Sequence, residues 1–147
     1  MAKILDTTKD LAAQFVQQAQ ATPNAVALED ENVSLTYADL DRETWALADK
    51  LRQYGVGRED LVGVLMGRSA DNVIASLAAL RAGGAYLVLE LAYPAGLLRD
   101  VIDDAKPKVI VTQKAHAGNI KADVPVIIID QPDVTSIGAQ KPVLLSA

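Results

Sequence analysis

Cysteine is absent from this 147-residue chain, so disulfide bonds and thiolate metal or redox sites are excluded. Aromatic residues make up only 4%, with one tryptophan and one phenylalanine. A single histidine is present, and with no cysteine beside it we expect no metal site. Any core must therefore be built from aliphatic side chains.

Positive charge and long apolar runs are also scarce. Fourteen Lys and Arg face nineteen Asp and Glu, which gives a net charge of −5. Nucleic acids and anionic membranes bind basic faces, so neither is expected as a partner. No apolar run approaches the roughly 20 residues of a membrane span. The first ten residues lack a signal-peptide pattern, and we therefore expect a cytoplasmic protein.

The chain does have the composition of one globular domain, with 50% hydrophobic and 22% charged residues. Apolar residues at helical spacing predict a helix over 11–19, which the sequence Thr22–Pro23–Asn24 ends. Two short strands over 25–29 and 33–36, joined by turn residues, predict a β-hairpin.

Helices and strands then alternate. Thr36, with Asp39 three residues on, is typical of a helix N-cap. The stripe of that helix comprises Tyr37, Leu40, Thr44, Leu47, Leu51 and Tyr54, and Gly55 ends it. Two further helices open at Ser69 and Pro94. The second is expected to turn Leu97, Leu98, Val101, Ile102 and Ala105 inward.

Strands are predicted over 61–66, 85–89, 109–112 and 124–129. Helices between the first three of these strands predict an α/β fold with a mostly parallel sheet flanked by helices, preceded by the short hairpin. The strands do not alternate strictly between apolar and polar residues, which favours burial on both faces.

The residues alone reveal no catalytic site. Gly55–Val56–Gly57 follows a helix rather than a strand and is followed by Asp60, so it is not a dinucleotide fingerprint. The segment from Gly63 to Ser69 has no lysine in the P-loop position. These absences count against a free-standing nucleotide-binding module of the flavodoxin type.

The segments that follow two of the predicted strands each allow two interpretations. The turn Gly67–Arg68–Ser69 can receive an anion, or Ser69 caps the next helix while Arg68 meets a carboxylate. Glu90 follows a strand at the end where α/β sheets bind ligands, or it is an ordinary surface carboxylate.

Three other features favour structural roles. His116 lies in a polar loop with no nucleophile elbow in the chain. The acidic group Asp100, Asp103 and Asp104 is typical of a solvated helix face rather than a catalytic carboxylate pair. Trp45 lies off the apolar stripe of its helix, which makes it either a candidate interface residue or the edge of the core.

Two segments carry a specific resemblance. They are Leu35–Thr36–Tyr37–Ala38–Asp39–Leu40 and Leu80–Arg81–Ala82–Gly83–Gly84–Ala85–Tyr86, the latter continuing to Tyr93–Pro94. They resemble the first and second signature motifs of amino-acid adenylation domains of nonribosomal peptide synthetases, in the AMP-forming acyl-CoA ligase and luciferase superfamily. The likeness covers about residues 11 to 130. It implies structural motif positions at Leu35, Thr36, Tyr37, Leu40, Arg68, Ser69, Ala82, Gly83, Gly84, Ala85, Tyr86, Tyr93 and Pro94.

The resemblance also implies what the parent protein does. It would use ATP and Mg²⁺ to form an acyl-adenylate, and would then load a phosphopantetheine carrier protein. In this family the phosphate loop, the substrate pocket and the catalytic lysine come after the part that this chain matches. Residues 1–130 would be a partial adenylation domain, the N-terminal part of its large subdomain, and 131–147 a tail leading toward the phosphate loop.

No residue of this chain is then expected to be catalytic, cofactor-binding or metal-binding. The segment would be a scaffold, inactive alone, with the rest of the adenylation domain and neighbouring synthetase domains as its partners. Departures from the family pattern cluster at Leu87–Leu91, which lacks two usual prolines, and at Gly96–Leu97, where a Glu-Arg pair is common. They motivate an alternative, a vestigial adenylation fragment with a structural or domain-interaction role.

Overall fold

A computed structural model describes residues 7–31 and 33–130, with side chains from Leu11 onward. Helix α1 (Thr7–Ala21) is followed by strands β1 (Val26–Glu29) and β2 (Ser34–Thr36). The two strands pair antiparallel, which confirms the predicted hairpin. Asn32, one of its expected turn residues, lies outside the described residues.

Helix α2 (Tyr37–Gln53) begins and ends where the sequence predicts. The Asp39 N–H donates to Thr36 Oγ1 at 3.1 Å, and the Thr36 N–H donates to the Asp39 carboxylate at 3.1 Å. This capping box satisfies two N–H groups that the first turn leaves free. At the other end Gly55 has a φ of +94°, a conformation that glycine adopts without a steric penalty.

The remaining elements form the α/β unit. They are β3 (Leu61–Leu65), α3 (Ala70–Arg81), β4 (Ala85–Leu89), α4 (Ala95–Ala105), β5 (Val109–Thr112), a 3₁₀ turn (Ala117–Asn119) and β6 (Val126–Ile128). The four strands lie in the order β4-β3-β5-β6 and every neighbouring pair is parallel. The predicted fold class is confirmed, with β6 shorter than the expected 124–129.

Each face of the sheet has its own apolar core. On one face, Val62, Val64, Val109 and Val111 pack with the inward residues of α2 and α3. On the other, residues of β3, β4 and β5 pack with Leu98 and Ile102 of α4. β3 and β5 are buried along almost their whole length because they are the central strands and have a helix layer on both sides.

Helix α4 differs from the sequence-based expectation. Leu97, expected to face inward, is 46% exposed, and only Leu98 and Ile102 of α4 are fully buried. Pro94 is the N-cap residue of this helix. An 11-residue helix packed on one face of a sheet buries a narrow stripe, which Leu98 and Ile102 fill one turn apart.

Gly84 allows the chain to turn tightly from α3 into β4. A Cβ placed on Gly84 would lie 2.7 Å from the Asp60 carbonyl oxygen and 3.0 Å from Val56 Cγ1. The same Asp60 oxygen accepts the Ala85 N–H at 2.9 Å, just before β3 and β4 begin to pair. No side chain fits in this contact, so the glycine is required by the close approach of two backbone segments.

None of the helices in the described ranges is both long and apolar enough to cross a bilayer.

Candidate functional site at the carboxyl edge of the sheet

The parallel sheet brings the segments that follow its strands to one edge. The turn Gly67–Ser69 follows β3, Glu90 follows β4, Gln113 follows β5 and Asp130 lies just beyond β6. Ligands of open α/β sheets bind outside this carboxyl edge. The first turns of α2 and α3 lie at the same edge, since each helix runs back along the sheet.

The turn before α3 is occupied by its own hydrogen bonds. The Asn72 N–H donates to Ser69 Oγ at 3.2 Å, so Ser69 is the predicted cap. The Ala70 N–H donates to Asp30 Oδ2 at 3.0 Å, a contact from the hairpin. Because these N–H groups already have anionic or polar acceptors, the turn offers them to no anion. Arg68 is exposed and forms no ion pair with a described residue.

Other polar side chains tie the strand ends together. Gln113 Nε2 donates to Asp71 Oδ2 at 3.0 Å, which links the end of β5 to the first turn of α3. The Lys114 N–H donates to Asp130 Oδ1 at 2.7 Å, which links the segments after β5 and β6. Glu90 is an exposed surface carboxylate. Polar bridges therefore link the segments that follow the strands.

Glu43 is the unusual residue of this region, and sequence reasoning missed it. It lies on the inward stripe of α2 and is only 8% exposed. Desolvation by burial, followed by the charges of Asp39 and Asp71, raises the pKa of its carboxyl to about 7. The signal was present in the spacing, since position 43 lies three residues after Leu40 and four before Leu47.

Asp39 behaves in the opposite way. The pKa of its carboxyl is lowered, chiefly because the Thr36 backbone N–H donates to it. Arg42 also binds it, with Nη2 at 2.6 Å from Oδ1. The two carboxyls lie one turn apart on α2, and their pKa values diverge because hydrogen-bond donors lower that of Asp39 whereas burial raises that of Glu43.

No metal centre forms from these acids. In residues 7–31 and 33–130 no group of three or more His, Cys, Asp or Glu is placed to hold an ion. Asp100, Asp103 and Asp104 are exposed on α4, as the solvated-face interpretation predicts. His116 is half-buried and precedes the 3₁₀ turn, where its backbone N–H donates to the Gln113 carbonyl at 2.9 Å.

The motif residues that the resemblance singled out have structural places. Leu35, Leu40 and Ala82 are buried, while Thr36 and Ser69 cap helices. The Tyr37 ring lies 6.2 Å from the Phe15 ring of α1. Tyr86 is 40% exposed on β4, an edge strand of the described sheet.

A second surface feature surrounds Arg81, at the end of α3. Its guanidinium lies 4.9 Å from the Trp45 ring and 5.6 Å from the Phe15 ring. Arg81 Nη1 also donates to Asp41 Oδ1 at 2.7 Å and to Thr44 Oγ1 at 3.0 Å. Arg81 thus joins three helices through one planar cation.

Trp45 lies off the buried stripe of α2, as predicted, and is 51% exposed. Arg52 is 5.0 Å from its ring on the same helix. Beside this group, a surface pocket of about 400 Å³ opens between α1 and α2. Its walls combine apolar and charged side chains, and they include Val16, Ala19, Pro23, Ala38, Arg42 and Arg81.

Comparison with known proteins gives the family. The family model described as "AMP-binding enzyme" matches residues 15–143. This chain belongs to that family. Among curated relatives, glycine betaine reductase ATRR of Emericella nidulans is 61% identical over 135 residues, which are 92% of this chain and 11% of the relative. Tyrocidine synthase 1 of Brevibacillus parabrevis is 40% identical over 107 residues, 73% of this chain and 10% of the relative.

Solved structures agree with the sequence matches. The nonribosomal peptide synthetase FmoA3 (S1046A) superposes with a TM-score of 0.79 at 29% identity, over 93% of this chain and 15% of that one. Its AMPPNP-bound form gives 0.78 at 32% identity, over 82% and 13%. The chain is therefore similar to part of a nonribosomal peptide synthetase adenylation domain, and spans about a tenth of the length of these curated relatives.

Proposed function

We propose that this chain is the N-terminal scaffold of an adenylation domain whose parent activates a carboxylic acid with ATP. The observation that supports it most directly is the family match over residues 15–143. In addition, polar groups at the carboxyl edge of the sheet bond to one another and hold the fold together. Residues 1–130 are proposed as the partial adenylation domain and 131–147 as the tail toward the phosphate loop. We propose a cytoplasmic, secondary-metabolite synthetase as the parent.

The proposed parent reaction has two steps. A carboxylate oxygen of the substrate attacks the α-phosphorus of ATP, the bond to the β-phosphate bridging oxygen breaks, and pyrophosphate leaves with Mg²⁺. A phosphopantetheine thiolate of a carrier protein then attacks the acyl carbon, and AMP leaves. The nucleotide is supported by the family and by a structural neighbour bound to AMPPNP. No described residue of this chain is assigned a step.

A pyrophosphate-exchange assay tests the scaffold role. The isolated 147 residues should show no exchange with ATP over a panel of amino acids and related acids. Transplanting residues 11–130 into the corresponding place of the tyrocidine synthase 1 adenylation domain should keep exchange, with the recipient's own substrate preference. Exchange by the isolated chain, or a transplant that takes a new substrate, would contradict the scaffold proposal.

The fate of the activated acyl group is a separate proposal. The relative at 61% identity is named a glycine betaine reductase, and that name supports a parent that reduces its activated acid instead of condensing it. Hydride transfer from a nicotinamide cofactor to the carrier-bound thioester would then release an aldehyde and the free thiol. A full-length parent incubated with ATP, Mg²⁺ and glycine betaine should consume reduced nicotinamide, whereas alanine in place of glycine betaine should not support that consumption.

The alternative is a vestigial fragment that braces neighbouring synthetase domains. The half-exposed Trp45 and the pocket beside Arg81 support it, since large exposed aromatics mark interaction surfaces. Under this proposal Trp45→Ala weakens assembly with the neighbouring domains while far-UV circular dichroism stays unchanged. Unchanged assembly removes the support of Trp45 for an interface.

A further inference from the structure

Glu43 is a buried acid without a hydrogen-bond donor. Its neighbours on the inward stripe of α2 are Leu40, Thr44 and Leu47, and only 8% of the surface of Glu43 is exposed. Its carboxylate accepts no hydrogen bond from any residue in the described ranges. Among the described residues, every side-chain nitrogen or oxygen that is closed off from solvent has a hydrogen-bond partner. Glu43 has no such partner, so its carboxylate oxygens remain accessible through an opening to solvent.

The groups whose charges act on Glu43 already have other hydrogen-bond partners. Arg42 binds Asp39, with Nη2 at 2.6 Å from Oδ1. The Gln113 amide donates to Asp71. The remaining electrostatic neighbours, Asp39 on α2 and Asp71 on α3, are negative, and Arg42 is the one cation whose charge acts on Glu43 among the groups described. The charges that act on Glu43 are therefore two negative and one positive.

We propose that Glu43 is the receptor for a cationic N–H donor, an arginine or lysine side chain of a polypeptide that packs against α2 beside the first turn of α3. A guanidinium or ammonium group would supply both the charge and the hydrogen bonds that the carboxylate lacks. The acidic surroundings complement such a group and oppose an anionic one. This proposal does not depend on the adenylation chemistry.

The geometry argues against two other occupants. A metal ion needs several ligands in one place, and the described acids form no such group. A purely apolar contact would leave a buried carboxylate unpaired, which is costly. An N–H cation satisfies the site with one side chain, because a carboxylate accepts two parallel hydrogen bonds from a guanidinium.

Methylguanidinium is the probe for this site. The Glu43 side-chain carboxyl is followed by ¹³C NMR while pH is varied, with sodium or tetramethylammonium at equal ionic strength as references. We expect methylguanidinium to lower the titration midpoint by about one pH unit, a tenfold preference for the ionised carboxyl. Tetramethylammonium has the charge but no N–H donor and should leave the midpoint where sodium leaves it.

Two variants of equal charge change complete the test. Glu43→Gln should abolish the changes in backbone-amide chemical shift that methylguanidinium causes at the start of α2 and α3. Asp49→Asn, on the exposed side of the same helix, should keep them. If Glu43→Gln fails to fold, the wild-type titration decides alone. Equal midpoints with methylguanidinium and tetramethylammonium would overturn the proposal, and so would a midpoint that falls with Mg²⁺ but not with methylguanidinium.

Discussion

Arg81 and Glu43 are two charged side chains near the interface of α2 and α3, and their surroundings differ sharply. Arg81 binds the Asp41 carboxylate and the Thr44 hydroxyl, and its flat face lies beside two aromatic rings. Glu43 has burial without donors. A buried charge stabilises a fold only when it is paired, so these residues should have opposite effects on stability when their charge is removed.

For Glu43 the effect depends on pH. The pKa of its carboxyl is about 7 in the native state and near 4.5 when the chain unfolds, so the native state binds the proton more tightly. This contribution to stability is complete below pH 4.5 and is lost as pH rises through 7. Glu43→Gln should therefore raise the free energy of unfolding at pH 8 by up to about 3 kcal/mol, and much less at pH 5.

Urea unfolding at pH 5 and pH 8 measures this difference. Asp49→Asn is the matched control, because it removes one negative charge from an exposed site of the same helix. If wild type and Glu43→Gln lose stability equally between the two pH values, Glu43 does not titrate near neutrality.

For Arg81 the expected change is a loss. Its side chain is 11% exposed, whereas Arg42, in the Asp39 pair, is 44% exposed. Arg81→Ala should cost about 2–4 kcal/mol, since it removes the ion pair with Asp41 and the cation–π contacts with the Phe15 and Trp45 rings. Arg42→Ala should cost under about 1 kcal/mol. The denaturant midpoints of Arg81→Ala and Arg42→Ala compare the two losses of stability. Similar losses would show that the Arg81 contacts add little to the free energy of unfolding.

At the scale of elements, the links between helices and strands depend on a few glycines. Gly84→Ala should destabilise by about 1–3 kcal/mol, because the new methyl meets the Asp60 carbonyl that pairs with the start of β4. Gly96→Ala is the paired substitution on α4, where nothing lies within 4 Å, and it should stabilise by about 0.5–1 kcal/mol through helix propensity. The midpoint temperature of thermal unfolding should fall for Gly84→Ala and rise for Gly96→Ala.

At the scale of the whole molecule, the order of the strands in the sheet determines which strands exchange their amide hydrogens most slowly. β3 and β5 lie in the centre of the described sheet and are almost fully buried, whereas β4 exposes Tyr86 and Val88. In hydrogen exchange, amides of 61–65 and 109–112 should be the slowest of the chain. Slower exchange in β4 or β6 would mean that those strands are covered in solution.

Local sequence patterns are enough to predict the elements, their order and the family. Periodic apolar residues, Thr36 and Ser69 as caps, and glycines at turns act locally, so a linear pattern is enough to predict them. The motifs around Tyr37 and Gly84 gave the resemblance, which the family match confirmed.

The contacts and exposure of single side chains depend on the packing of the elements. Leu97 is expected in the core from its spacing but is exposed, because coverage depends on which neighbouring element lies over a helix face. The burial of Glu43 and the stacking of Arg81 on Trp45 depend on contacts between helices far apart in sequence. Burial and charge are properties of the packed surroundings, and the packing fixes both the pKa of Glu43 and the partners of Arg81.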